Sequence, residues 1–128
     1  MINIQRSRKE QYTVVTLGNE KLDATISSDL KAYFVTLNNE GVKNVIFDMS
    51  DVRYSDSSGL SAILVGNRLC QEAVGSFILC SLSEHVSKLV RISQLDTVLN
   101  IVPTLEEAVD LVHFNEIENQ LRADSQDS

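Results

Sequence analysis

Asp56-Ser57-Ser58-Gly59 places a carboxylate, two adjacent hydroxyls and a glycine between a short apolar run and the start of a helical pattern. A hydroxyl at a helix start lies beside N–H groups that have no acceptor within the helix, at the positive end of its dipole. Phosphoryl oxygens carried by that hydroxyl would find donors there. A phosphoserine bears about −1.5 to −2 charge at neutral pH, so modifying either Ser57 or Ser58 would change the local field beside Asp51 and Asp56 and leave the fold alone. A plain capped turn uses the same residue types, with Ser57 or Ser58 accepting a helix amide and Asp56 favoured by the dipole. In a third reading Ser57 is a nucleophile, which requires a general base and an open substrate pocket.

The rest of the chain adds little catalytic chemistry. His85 and His113 have no nucleophile and orienting acid close in sequence, and both read as surface or boundary histidines. There is no glycine-rich phosphate loop with its lysine and no His/Cys/Asp spacing that builds a metal centre, so neither cofactor nor metal is expected. Cys70 and Cys80 lie in apolar settings and read as reduced, core-facing thiols.

The elements that position the serines follow an alternating order. Met1–Gln5 reads as an edge strand, linked through the polar residues 6–10 to a second strand at Tyr12–Leu17, an opening hairpin. Ile26, Leu30, Tyr33, Phe34 and Leu37 recur at helical spacing, and Gly41 provides a left-handed stop. Asn44–Met49 reads as a central strand. Ser58–Ala73 follows as a helix in which Gly66 costs about 1 kcal/mol relative to Ala unless a close approach uses its missing side chain. Gly75 is read as the end of that helix.

Phe77–Cys80 is the next strand, and Val86, Leu89 and Val90 mark a third helix. A short strand at 98–102 precedes a last helix opened by Pro103-Thr104, with Glu107 at capping-box spacing. The expected fold is α/β and single-domain: a mixed central sheet with an N-terminal hairpin and about four helices packed mainly on one face. Residues 1–117 form the domain, and residues 118–128 form a polar, flexible tail.

At 128 residues with 43% hydrophobic content, the chain suits one core rather than two domains. Its formal charge of −7 disfavours nucleic acid backbones and anionic membranes. Residues 1–20 lack a signal-peptide pattern and no apolar run reaches the length of a membrane span, so no membrane insertion and a cytoplasmic location are expected.

Leu22-Asp23 before the first helix, the Val45-to-Met49 strand and above all Asp56-Ser57-Ser58-Gly59-Leu60 resemble the STAS-domain anti-sigma factor antagonist family over roughly residues 1–117. The resemblance implies that Ser57 is the phosphoacceptor, supported by Asp56, Ser58 and Gly59, with Asp23, Asp56, Ser57 and Ser58 facing the partner. It implies an anti-sigma factor that is also an ATP-dependent serine kinase, bound before phosphorylation and released after it. A metal-dependent serine phosphatase would restore the binding form. The ATP and metal then belong to the partners, and this chain is a substrate and binding module rather than an enzyme. The alternative is a STAS interaction subunit of a transport or stress-signalling assembly that no kinase modifies. Leu17–Asp23 is longer than the Gly-Xaa-Leu-Asp arrangement frequent in that family, which points to a reshaped partner-facing loop.

Overall fold

Strict alternation of side chains explains how the sheet is covered on two faces. In the computed structural model, which describes residues 1–126, β1 (Ile4–Arg8) pairs antiparallel with β2 (Thr13–Leu17). β2 then pairs parallel with β4 (Val45–Asp48), β4 with β6 (Phe77–Cys80), and β6 with β7 (Asn100–Val102). The register aligns Val15, Phe47, Leu79 and Ile101 across one face, and Val14, Ile46 and Ile78 across the other. Because successive residues of a strand point to opposite faces, both rows become core.

The first face carries α1 (Ser27–Asn39), α2 (Ser57–Glu72) and α3 (Glu84–Ile92), and their apolar sides join Val15, Leu17, Phe47 and Leu79 in the larger core. Phe34 of α1 meets Phe47 and Phe77 edge to face, with ring centroids 5.5 and 5.4 Å away. Gly66 gives those rings room, since a Cβ there would lie 2.6 Å from Phe77 Cε1 and 2.9 Å from Phe34 Cδ2. The close approach is therefore to aromatic rings. On the second face lies α4 (Leu105–Gln126), whose Ala108 and Val112 cover Val14, Ile46, Ile78 and Cys80.

Several boundaries differ from those read in the sequence. β1 begins at Ile4 and takes in Arg6-Ser7-Arg8, because an edge strand leaves those side chains in water and tolerates their charge. A separate parallel ribbon, β3 (Lys21–Leu22) with β5 (Tyr54–Ser55), is too short to carry a periodic signature in the sequence. Thr104 Oγ1 accepts from Glu107 N–H at 3.1 Å, but Glu107 Oε2 returns the contact to the threonine hydroxyl, not to its backbone. α4 continues beyond Glu118 to Gln126, a stretch expected to fray, and residues 127–128 lie outside the described residues.

Burial pushes the Cys70 thiol up to about 12 and that of Cys80 to about 11, so both are neutral thiols at neutral pH. Among the described residues no helix is long and apolar enough to cross a membrane, and no group of three or more His, Cys, Asp and Glu is placed to hold a metal ion.

α1 ends as expected, with Gly41 in the left-handed region at φ 87°. At the end of α2 the left-handed residue is Val74, at φ 58°, and not Gly75. Gly75 serves a second demand that outranks the first: a Cβ on it would fall on the Lys43 carbonyl. Gly75 N–H donates to Cys70 O and Val74 N–H to Gln71 O, which closes the helix through a strained β-branched residue. Replacing Val74, which is 65% exposed, by Gly removes that strain at little packing cost. The substitution is expected to stabilise the fold by about 0.5–1 kcal/mol after the added chain entropy of Gly, read as a higher urea midpoint.

Candidate functional site

The β3–β5 ribbon determines where the serines sit. Leu22 pairs with Ser55, so the next residues along these parallel strands, Asp23 and Asp56, emerge side by side at one end of the ribbon. Ser55 is buried, and its Oγ lies 3.0 Å from Leu22 O and 3.2 Å from Asp56 O, satisfying its single donor. Glu20 O accepts from Arg53 N–H at 2.8 Å and Tyr54 N–H at 3.1 Å. Ser83, the N-cap of α3, also ties down the approach to β5, its Oγ donating to Arg53 O at 3.4 Å.

Asp56 is the N-cap of α2. Its backbone is extended, and Oδ1 accepts from Gly59 N–H at 3.0 Å while its carbonyl accepts from Leu60 N–H at 3.1 Å. This corrects the assignment of capping to a serine: a carboxylate one residue earlier already holds the third helix amide. Ser57 and Ser58 therefore occupy the first two helical positions. Ser57 is exposed and Ser58 half-buried. Among the described residues neither hydroxyl makes a hydrogen bond, and neither backbone N–H has an acceptor. The junction thus offers two uncommitted amides and one exposed nucleophilic oxygen at a helix N-terminus.

Gly59 is buried and faces the ribbon rather than the solvent side of the junction. A Cβ there would fall on the Leu22 carbonyl and Ser55 Oγ and come within 2.8 Å of Leu22 Cγ. Its role is to let α2 start against β3.

Asp23 ties its own loop rather than capping α1, whose N-cap is Ile26. Its Oδ1 accepts from the Thr25 hydroxyl at 2.5 Å and Thr25 N–H at 3.0 Å, and these bonds, with Lys21 nearby, hold the carboxyl below its ordinary range. A depressed folded-state value stabilises above the unfolded value of about 4 and is lost as pH falls through the folded value. Through the register of the ribbon, Asp23 and Asp56 follow its two paired strands at the end that leads into Ser57.

The longer loop has its own anchors. Asn19 Oδ1 accepts from Asn3 N–H at 2.7 Å, Asn19 Nδ2 donates to Met1 O at 2.9 Å, and Gly18 N–H donates to Asn3 O at 2.7 Å. The extra residues tie the start of the chain to the approach to β3.

One pair of side chains near the junction escaped sequence reading. Tyr54 of β5 and His85 of α3 stack with centroids 5.2 Å apart and ring planes 22° apart, both rings exposed. They are distant in sequence, and only the packing of α3 beside β5 joins them. His85 stacks on a tyrosine instead of hydrogen-bonding Ser57, so among the described residues no base is bonded to that hydroxyl. His113 meets Tyr12 edge-on at 5.9 Å. A cleft of about 240 Å³ lies at the other end of β4, lined by residues that include Tyr12, Lys43, Asn44 and Glu116.

In an open helix Gly59→Ala would stabilise by about 1 kcal/mol, but overlap with a backbone carbonyl outweighs this, and a net loss of about 2 kcal/mol is expected. Asp56→Ala is expected to cost about 1 kcal/mol through the lost cap. Urea denaturation of both variants checks the pair; an unchanged midpoint for Gly59→Ala would contradict the packing assigned to it.

The STAS domain family model matches residues 3–108. A candidate anti-sigma factor antagonist of Thermotoga neapolitana is 28% identical over 100 residues, covering 77% of this chain and 88% of the relative. The crystal structure of a candidate anti-sigma factor antagonist from Thermotoga maritima superposes with a TM-score of 0.77 at 26% identity, covering 86% of this chain and 94% of that one. The Bacillus cell fate determinant SpoIIAA, solved in its phosphorylated form, superposes with a TM-score of 0.66 at 26% identity, covering 86% and 99%. The mixed sheet, the ribbon-held serine junction and the match over most of its length show that this chain belongs to the STAS domain family, with anti-sigma factor antagonists among its structural neighbours.

Proposed function

We propose that this protein is a partner-switching antagonist that binds a serine-kinase anti-sigma factor in the cytoplasm while Ser57 is unmodified, and is released when Ser57 is phosphorylated. The observation that carries this reading is the sorting of three neighbouring hydroxyls. Ser55 is buried and bonded, Ser58 is half-buried, and Ser57 is exposed on the first turn of α2. A kinase approaching the junction meets Ser57 first.

The physical logic of release is local. A phosphate on Ser57 can draw on the uncommitted amides of Ser57 and Ser58, so the domain tolerates it. It also adds about two negative charges next to Asp56 and Asp23, and a partner surface fitted to a neutral hydroxyl would have to accommodate all of them. Asp23, Asp56 and Ser58 contribute to the docking surface, and Gly59 supports it from beneath. A serine phosphatase would reset the switch. ATP and metal chemistry are assigned to those partners, and this chain serves as substrate and binding module. SpoIIAA, known in a phosphorylated form, lends support as a relative.

Incubation with a kinase-type anti-sigma factor and ATP is expected to place phosphate on Ser57, read by site-resolved mass spectrometry. Ser57→Ala should abolish modification and retain binding. Ser57→Asp and the phosphorylated protein should bind at least about tenfold more weakly, a loss of about 1.4 kcal/mol. Equal affinity of all four forms would favour a docking subunit without a switch, and modification confined to other serines would sink the assignment.

A further inference from the structure

α4 has two apolar faces, and only one is used. The inner face buries Ala108 and Val112 and is fixed further along by Asn115 Nδ2 donating to Ser76 Oγ at 3.0 Å and Asn119 Nδ2 donating to Val74 O at 3.3 Å. On the outer side Phe114, Ile117 and Leu121 are 57, 59 and 61% exposed. Their i, i+3, i+7 spacing at about 100° per residue makes one stripe roughly opposite Ala108 and Val112. Scattered exposed apolar residues are ordinary, but three large ones aligned over two turns form a contiguous patch of the kind that marks an interaction surface.

Charge selects the occupant. Exposed Asp110, Glu118 and Asp124 border the stripe, and α4 as a whole carries six carboxylates against the single guanidinium of Arg122. A second copy of this chain would bring the same excess of negative charge to the contact, and anionic lipid would do likewise. The complement is an apolar strip flanked by Lys or Arg. Anchors at i, i+3 and i+7 on a straight helix suit helix-on-helix packing. We propose that the outer face of α4 docks a basic amphipathic helix of a protein partner. The sheet separates this face from the Ser57 junction, so the inference does not rest on the phosphorylation reading.

The probe is a synthetic amphipathic peptide of about five turns, with Leu along one face and Lys on its flanks, titrated into the full chain and followed by fluorescence anisotropy. A second peptide carries Glu in place of Lys. Saturable binding of the Lys peptide is expected, weakened by salt and at least about tenfold weaker for Phe114→Ser and Ile117→Ser, with amide shifts along α4. Should either serine variant lower the melting temperature, the double variant Asp110→Lys, Glu118→Lys keeps the apolar stripe and must still lose the Lys peptide. No saturable binding, equal binding of the Glu peptide, or affinity unmoved by all the variants would overturn the proposal. So would self-association of the free protein that Ile117→Ser abolishes, or adsorption of the stripe to phosphatidylcholine vesicles.

Discussion

The contact between the first turn of α2 and the Leu22 carbonyl is the constraint on which the serine junction depends. It can form only where Gly59 lacks a Cβ, and it brings the helix start against the β3–β5 ribbon. From that contact follow the burial of Ser55, the capping position of Asp56 and the exposure of Ser57. A side chain at position 59 would push helix and ribbon apart, and the hydroxyls would lose their ordering by depth. The glycine shapes the site from below, although it touches nothing that approaches from solvent.

The division of electrostatic labour at the junction is equally simple. Asp56 takes one helix amide and leaves the two before it uncommitted. The positive end of the helix is thus partly neutralised by a carboxylate, yet it retains donors suited to an anion. Asp23, brought alongside by strand register and ionised with help from Thr25, adds negative charge from the other strand. Such a junction offers donors to an anion, while its surroundings penalise a second anionic surface.

Periodicity made most of the scaffold legible. The hairpin, the central strands around Phe47 and Leu79 and all four helices carry patterns of period two or 3.6, and they lie close to where those patterns place them. The ribbon was invisible because two-residue strands have no period to read. Serine and aspartate compete for the same capping position, and only the backbone geometry at Asp56 decides between them. Gly75 reads as a helix stop and Gly59 as part of the serine motif, but each is a clearance residue facing a carbonyl across the fold. The Tyr54–His85 stack joins residues from separate elements and leaves no trace in local sequence.

The ribbon contributes only two residue pairs, whereas the main sheet has five strands with apolar rows on both faces. Leu22 and Ser55 are nonetheless buried, and Leu22 belongs to the larger core, so the ribbon is held by the body of the domain rather than by its own two pairings. Drawing it away would uncover Leu22 and strip Ser55 of its acceptor, so the helix start above it is moored to the same interior as the sheet.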